Sequence, residues 1–392
     1  MFQQFRQDFS KQAALQGILV AIVGYASSVA IVVQGLKAAG ATGQQITSAL
    51  LLLGLGKGLA AIGLSLWTRM PISIAWTTPG LALLAATPVV AGGFPAAVGA
   101  FVIVGVLIML TALWSPLGRL IAAIPKPIAN AMLAGIIFKL CLAPFLALTQ
   151  APLVVGLILL VWVVMQKVNR LYAVPVAVAL AIGIIIESGD FKWHAGHLLP
   201  GVGFVKPIFT LEAMISLVIP LFVVTMASQN ITGLAVLKTY DFKPNPRDGL
   251  LVTGAISVLT APLGAPAINF AAITAALCAG PDAHPDPNRR YVAAVVGGLG
   301  YVMLAGLAGV TTVLVANSSS LLIEAVAGLA LIGAFASATA GALEVEEDRI
   351  PAMATLLATA SGLTLLGIGP AFWGLVIGWG LYGFFRWKPG RM

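Results

Sequence analysis

The amino-acid sequence predicts an all-α polytopic membrane protein with about fourteen transmembrane spans, arranged as two inverted seven-span repeats whose third and tenth spans are short and broken. Three observations lead there. The 392 residues are 60% hydrophobic and 9% charged, with a mean hydropathy of +1.03, and no soluble fold can present that composition to water. The basic residues alternate between two sides of the spans. Two segments interrupted by proline and glycine stand about half a chain apart.

In chain order, Arg6 and Lys11 precede an apolar run, Gly17 to Leu36, that is longer than a secretory signal's apolar region and is followed at once by further spans. It reads as a retained first helix over 13–37. Helical runs follow over 45–67, 94–114, 127–148, 152–167 and 171–187, with the first broken segment, 71–87, between the first and second of these. The second half runs 209–237, 248–261, the second broken segment 262–279, then 291–315, 320–342, 350–367 and 371–386.

With a cytoplasmic N-terminus, Lys37, Lys139, Lys192 and Lys206 fall on the outer side. Every other basic residue except Lys57, from Arg6 and Lys11 to Arg386, Lys388 and Arg391, falls inside. That asymmetry holds only if both broken segments cross the bilayer, and it puts both termini in the cytoplasm. The net charge of +8 therefore reads as topology and contact with anionic lipid. A nucleic-acid role would need a basic, aromatic-interleaved domain, which is absent. Cys141 and Cys278 lie near opposite faces, so no disulfide is expected, and there is no CxxC metal motif.

The broken segments are "MPISIAWTTPGLALLAATP", Met70 to Pro88, and "APLGAPAINFAAITAALCAG", Ala261 to Gly280. Each opens on a proline, continues through a polar stretch and ends in a helix of small residues. The helices before them echo weakly: "GYASSVAIVVQGL" from Gly24 aligns with "TMASQNITGLAVL" from Thr225, setting Ser27 and Ser28 against Ser228 and Gln229. Seven spans per half make the repeat inverted, the pattern of secondary transporters with a site near the bilayer midplane. Irregular backbone at that depth is tolerated only when buried in protein or lining a wet cavity. Half-helices beginning near Gly80 and near Phe270 would point free N–H groups and positive dipole ends into one cavity, a geometry that suits an anion. The plainer alternative is two kinked, packed helices; the matched position in both halves favours the site.

The thirteen acidic residues all fall in loops or near span ends, which leaves such a site open to an anionic ligand. Ser27, Ser28, Thr77, Thr78, Gln229, Asn230 and Asn269 offer hydroxyl or amide groups to its oxygens, and Tyr25, Trp76 and Phe270 offer ring faces. Together they suit a small aromatic carboxylate. For each polar group the competing role is a helix–helix hydrogen bond. Lys57, in "LLLGLGKGLAAIGL", sits near the middle of the second span, where an ionisable side chain is costly. It reads as a substrate counter-ion, a proton-linked switch or a helix contact among Gly54, Gly56 and Gly58; the phosphate-loop spacing is absent. His194 and His197 read as a solvated outer loop without further metal ligands, and "EVEEDR", Glu344 to Arg349, as a solvated inner charge run.

At these residues the chain resembles a known family. "LQGILVAIVGYASSVAIVVQGLKAAGA", "ISIAWTTPGLALLA" and "GAPAINFAAITAALC" closely resemble the benzoate:proton symporter (BenE) family of bacterial inner membranes, and the likeness covers essentially the whole chain. More distantly the architecture is similar to the nucleobase–ascorbate (uracil permease-like) transporters. The resemblance implies a core domain from 1–118 and 207–316, a gate domain from 119–206 and 317–392, and short β-strands leading into the third and tenth helices. It also implies core-against-gate movement, often within a homodimer. One departure stands out: where the nucleobase relatives carry a glutamate on the eighth span, this chain has Gln229 and Asn230, and their second acidic position falls at or beside Ile268 and Asn269, so no carboxylate proton carrier is transferred. The implied function is secondary active import of benzoate or a related aromatic carboxylate with protons, without a cofactor. An anion channel or exchanger and a nucleobase-type permease are the alternatives. An intramembrane enzyme would need paired mid-membrane acids, HExxH or a Ser/His arrangement, and none is present.

Overall fold

The computed structural model describes residues 2–187, 200–316 and 320–386; His194, His197, Asp190, Lys192, Lys388 and Arg391 lie outside the described residues. The chain is mostly helical. The first part comprises α1 (Phe2–Asp8), α2 (Lys11–Ala26), α3 (Val29–Ala38), α4 (Gly43–Thr68), strand β1 (Ile74–Trp76), α5 (Thr78–Ala86), α6 (Gly93–Leu113), α7 (Ser115–Ala122), α8 (Lys126–Gln150), α9 (Pro152–Val168) and α10 (Ala173–Glu187). The second comprises α11 (Leu211–Ala213), α12 (Ile219–Val224), α13 (Ile231–Thr239), α14 (Pro246–Thr260), strand β2 (Ile268–Phe270) and α15 (Ile273–Ala279). It closes with α16 (Tyr291–Ala305), α17 (Ala308–Ala316), α18 (Ser320–Leu343), α19 (Arg349–Ser361) and α20 (Pro370–Arg386).

Among the described residues, seven helical stretches are long and apolar enough to cross a membrane, and α16 with α17, bent by 59°, makes an eighth. The other expected spans fall on shorter helices. Several boundaries differ from expectation for identifiable reasons. The first helix is interrupted at Ser27 and Ser28, where Ser28 leaves the helical region with φ −140 and ψ −9. The stretch that echoes it, Thr225–Asn230, is wound as a π-helix joining α12 to α13, so both polar pairs deform their helices. The expected helix over 350–367 stops at Ser361 because Gly362 takes φ 80, in the left-handed region that ends helices. Helix α7 was not expected from the apolar pattern.

The two broken segments meet. β1 and β2 pair antiparallel, with Ile74 opposite Phe270, Ala75 opposite Asn269 and Trp76 opposite Ile268. Two further backbone bonds, Thr77 N–H to Ala267 O and Ala271 N–H to Ser73 O, both 3.0 Å, extend the ladder. Three-residue strands have no independent stability, and here side chains complete them. Ser257 Oγ accepts from Ile268 N–H at 3.0 Å and Asn230 Oδ1 accepts from Phe270 N–H at 3.0 Å, so the free edge of β2 is satisfied inside the protein. Strand β2 occupies the residues where the second half-helix was expected to begin, and α15 starts at Ile273.

Small residues let the helices around this pair approach closely. A Cβ on Gly58 of α4 would meet Gly298 O of α16 at 2.6 Å, and one on Gly298 would meet Gly58 O at 2.7 Å, so only glycine fits at this crossing. The crossing fixes the neighbours Lys57 and Tyr301 against each other. A separate apolar cluster includes Val155 of α9, Ala177 of α10 and Leu329 of α18.

Candidate functional site

A cavity of about 140 Å³ lies where the broken segments meet, lined by Ser27 and Ser28 at the α2–α3 break, Lys57, Trp76, Thr78 and Gln229. Ala272, Ile273 and Thr274 bring in the start of α15, and Leu133 and Ile137 of α8 with Leu331 of α18 form the facing wall. Drug-sized sites run from about 300 to 1,000 Å³, so this one suits a small solute. No aspartate or glutamate is among its lining residues.

Lys57 is 1% exposed. Its Nζ stands 3.3 Å from the Trp76 ring centroid, 3.7 Å from that of Tyr301 and 5.9 Å from that of Tyr25. Among the described residues no carboxylate pairs with it. Effective desolvation of one charged group costs several kcal/mol, whereas a desolvated cation–π contact contributes about 2 kcal/mol. Two close rings offset part of the cost of a charged lysine, and an anion in the cavity would supply the rest.

The cage is held by a short chain of hydrogen bonds. Trp76 Nε1–H donates to Ser28 Oγ at 2.9 Å, and Ser28 Oγ–H donates to Gly24 O at 2.7 Å. The Trp76 ring meets Tyr25 edge-on at 5.6 Å, and Tyr25 Oη shares a 3.0 Å hydrogen bond with Thr311 Oγ1. Tyr301 Oη donates to Val20 O at 3.1 Å. Ser73 and Thr274 share a 2.8 Å hydroxyl bond across the two segments.

The structure thus brings Ser27, Ser28, Lys57, Trp76, Thr78 and Gln229 to one cavity and sets the other sequence-nominated residues behind its wall. Thr77 caps α5, accepting from Gly80 N–H at 3.2 Å, and shares a 2.8 Å bond with Thr225. Because Pro79 has no N–H, most of the first turn of α5 is already satisfied. The start of α15 has no side-chain cap. Asn230 holds the edge of β2, and Asn269, fully buried, donates to Phe270 O at 2.8 Å while its Oδ1 has no partner. The Phe270 ring packs against Gly249 of α14, and Tyr25 lies one ring behind Trp76, lining a neighbouring apolar pocket.

Residues 7–384 match the family model for the benzoate membrane transport protein, BenE. The chain belongs to this family. It is 30% identical over 402 residues to the benzoate membrane transport protein of Acinetobacter baylyi (strain ATCC 33305 / BD413 / ADP1), covering 99% of this chain and 98% of that protein. It is 40% identical over 367 residues to the inner membrane protein YdcO of Escherichia coli (strain K12), covering 93% of each. Its fold is similar to the transmembrane domain of a cyanobacterium bicarbonate transporter, BicA, with a TM-score of 0.59 at 15% identity, over 94% of this chain and 97% of that one. SLC26A9 gives a TM-score of 0.58 at 11% identity, over 95% of this chain and 65% of that one. This BenE-family chain is accordingly a membrane transporter of a small molecule, not an enzyme.

Sequence reasoning missed Tyr301, which closes the cage around Lys57, and the facing wall of Leu133, Ile137 and Leu331. An aromatic in "GGLGYVML" is ordinary in an apolar span; only the glycine-mediated crossing of α4 and α16 reveals its partner.

Proposed function

We propose that the chain imports benzoate or a related aromatic carboxylate with protons across a bacterial inner membrane by alternating access. The observation that carries this reading is Lys57, a buried lysine with no carboxylate partner among the described residues, caged by Trp76 and Tyr301 in a cavity whose described lining holds no acid. The substrate carboxylate sits at Lys57, with Ser27, Thr78, Gln229 and the α15 backbone as further donors, and its ring rests among Trp76, Leu133, Ile137 and Leu331. Lys57 takes up a proton from outside as the carboxylate binds and gives it up inside as the anion leaves, so the loaded site carries no net charge through the bilayer, the empty site returns with a neutral amine, and each anion moves with one proton.

The shorter helices complete about fourteen crossings in two inverted halves. Residues 1–118 and 207–316 form the core, residues 119–206 and 317–392 form the gate, and movement of one against the other exposes the site in turn. The lining supports this division, since Leu133, Ile137 and Leu331 belong to the gate and the other named lining residues to the core. Both termini are cytoplasmic, and the unit in the membrane is a homodimer. Labelled uptake into proteoliposomes tests the reading. Saturable benzoate uptake driven by an inward proton gradient is expected; unsaturable, conductive anion flux would identify a channel instead, and preference for nucleobases a permease of that class.

A further inference from the structure

Away from the central cavity, a larger one of about 660 Å³ opens between the C-terminal ends of α3 and α5 on one side and α8 and α18 on the other. Lys37, Lys139, Gln34, Gln150 and Glu324 give it its polar character. These two lysines are among the few basic residues that the charge asymmetry assigns to the outer side. Both lysines line the cavity with Glu324, the Lys139 ammonium standing beside Gly362 at the end of α19, and neither makes an ion pair among the described residues, with Glu324 or any other carboxylate. Gln34 carries a buried side-chain oxygen with no partner. Lys139 lies well inside α8, and charge at mid-helix positions of membrane proteins is costly and commonly marks a solute path.

The two cavities continue along the same helix faces. On α8, Leu133 and Ile137 line the central cavity, and Leu140, Ala143 and Ala147 carry the stripe into the larger one at helical spacing. On α18, Leu331 and Ala334 line the first, and Glu324 and Leu321 the second. From Lys139 to Gln150 the helix rises about 16 Å, so the larger cavity runs along about that length of α8 to the level of the central one.

We propose that this vestibule is the outer entrance of the transport path and that Lys37 and Lys139 form a second, outer subsite for the carboxylate of the incoming acid. The subsite rests on the transport reading above for its ligand, but its charge and its opening stand on their own. It concentrates small organic anions at the mouth and rejects cations before the solute reaches Lys57.

The test places one reactive thiol in the vestibule, Ala143→Cys, one turn beyond Lys139, in a chain carrying Cys141→Ala and Cys278→Ala. Reagents are added outside. A negatively charged methanethiosulfonate is expected to react about tenfold faster than a positively charged one, and benzoate to slow it. Lys37→Gln with Lys139→Gln brings the two rates together, abolishes the protection and raises the apparent KM for benzoate several-fold with Vmax within twofold; the paired arginine variant restores all three. Equal rates for the two reagents, a ratio or KM unmoved by the glutamine pair, or reaction only from the cytoplasmic side would each overturn the proposal. Loss of benzoate uptake with the charge preference intact would instead sink the assigned function and leave the anion-selective vestibule standing.

Discussion

Lys57 concentrates the chemistry of the site in one side chain, and its environment separates a functional role from a structural one. A buried charge can often be replaced by an apolar side chain of similar volume at no cost to stability, or with a gain. Lys57→Met is therefore expected to keep or raise the melting temperature in detergent while lowering benzoate uptake at least tenfold; parallel loss of both would reduce Lys57 to a packing residue. Trp76→Phe removes the Nε1–H donated to Ser28 and the better of the two close cation–π partners, so the apparent affinity for benzoate should fall several-fold, read as a rise in KM. The sequence exposes Lys57 and Trp76 because a lysine at mid-span and an indole beside a proline break are both conspicuous. It does not expose which face of a two-residue period turns inward. Ile268 and Phe270 share one side of β2 and Asn269 takes the other, so Phe270, nominated as a ring for the ligand, lies against Gly249 instead.

At the scale of elements, the broken segments hold their shape through side chains borrowed from neighbouring helices. Asn230 sits in the π-wound stretch of the eighth expected span, where its Oδ1 is free to accept from Phe270 N–H of β2. Asn230→Ala leaves that N–H buried without an acceptor, a cost of about 1–3 kcal/mol, and should lower the melting temperature measurably and reduce uptake together. Gly58→Leu forces a side chain into the carbonyl of Gly298 and is expected to give misassembled protein, visible as aggregate on size-exclusion chromatography. The existence and order of the helices, and the position of both breaks, were readable from apolar runs and from proline and glycine. The interruption at Ser27 and Ser28, the π segment and the early end of α19 were not, because each depends on what a short polar stretch finds to bond with once packed.

For the whole molecule, the proposed core and gate each contribute residues to the lining of one cavity. Leu331 lies on the wall assigned to the gate, so Leu331→Trp should fill the cavity and stop uptake without disturbing insertion, judged by an unchanged chromatographic profile. The charge asymmetry gives an independent check of orientation: a reporter fused after Met392 should be active only when it is a type that works in the cytoplasm, and the opposite result would invert the assignment of both termini. The sequence predicted the membrane class and the meeting of two breaks from composition and repeat. The depth of the vestibule and the composition of the facing wall depend on how α8 and α18 lie against α3 and α5, which no local pattern encodes.

The pairing of Ile74 with Phe270 also constrains how the protein is made. When β1 leaves the ribosome its partner strand has yet to be translated, so the nascent first half must wait in the bilayer with an unfinished hydrogen-bonding edge. Neither half alone contains the whole lining of the central cavity, and fragments divided between α10 and α11 should recover activity only when both are synthesised in the same cell.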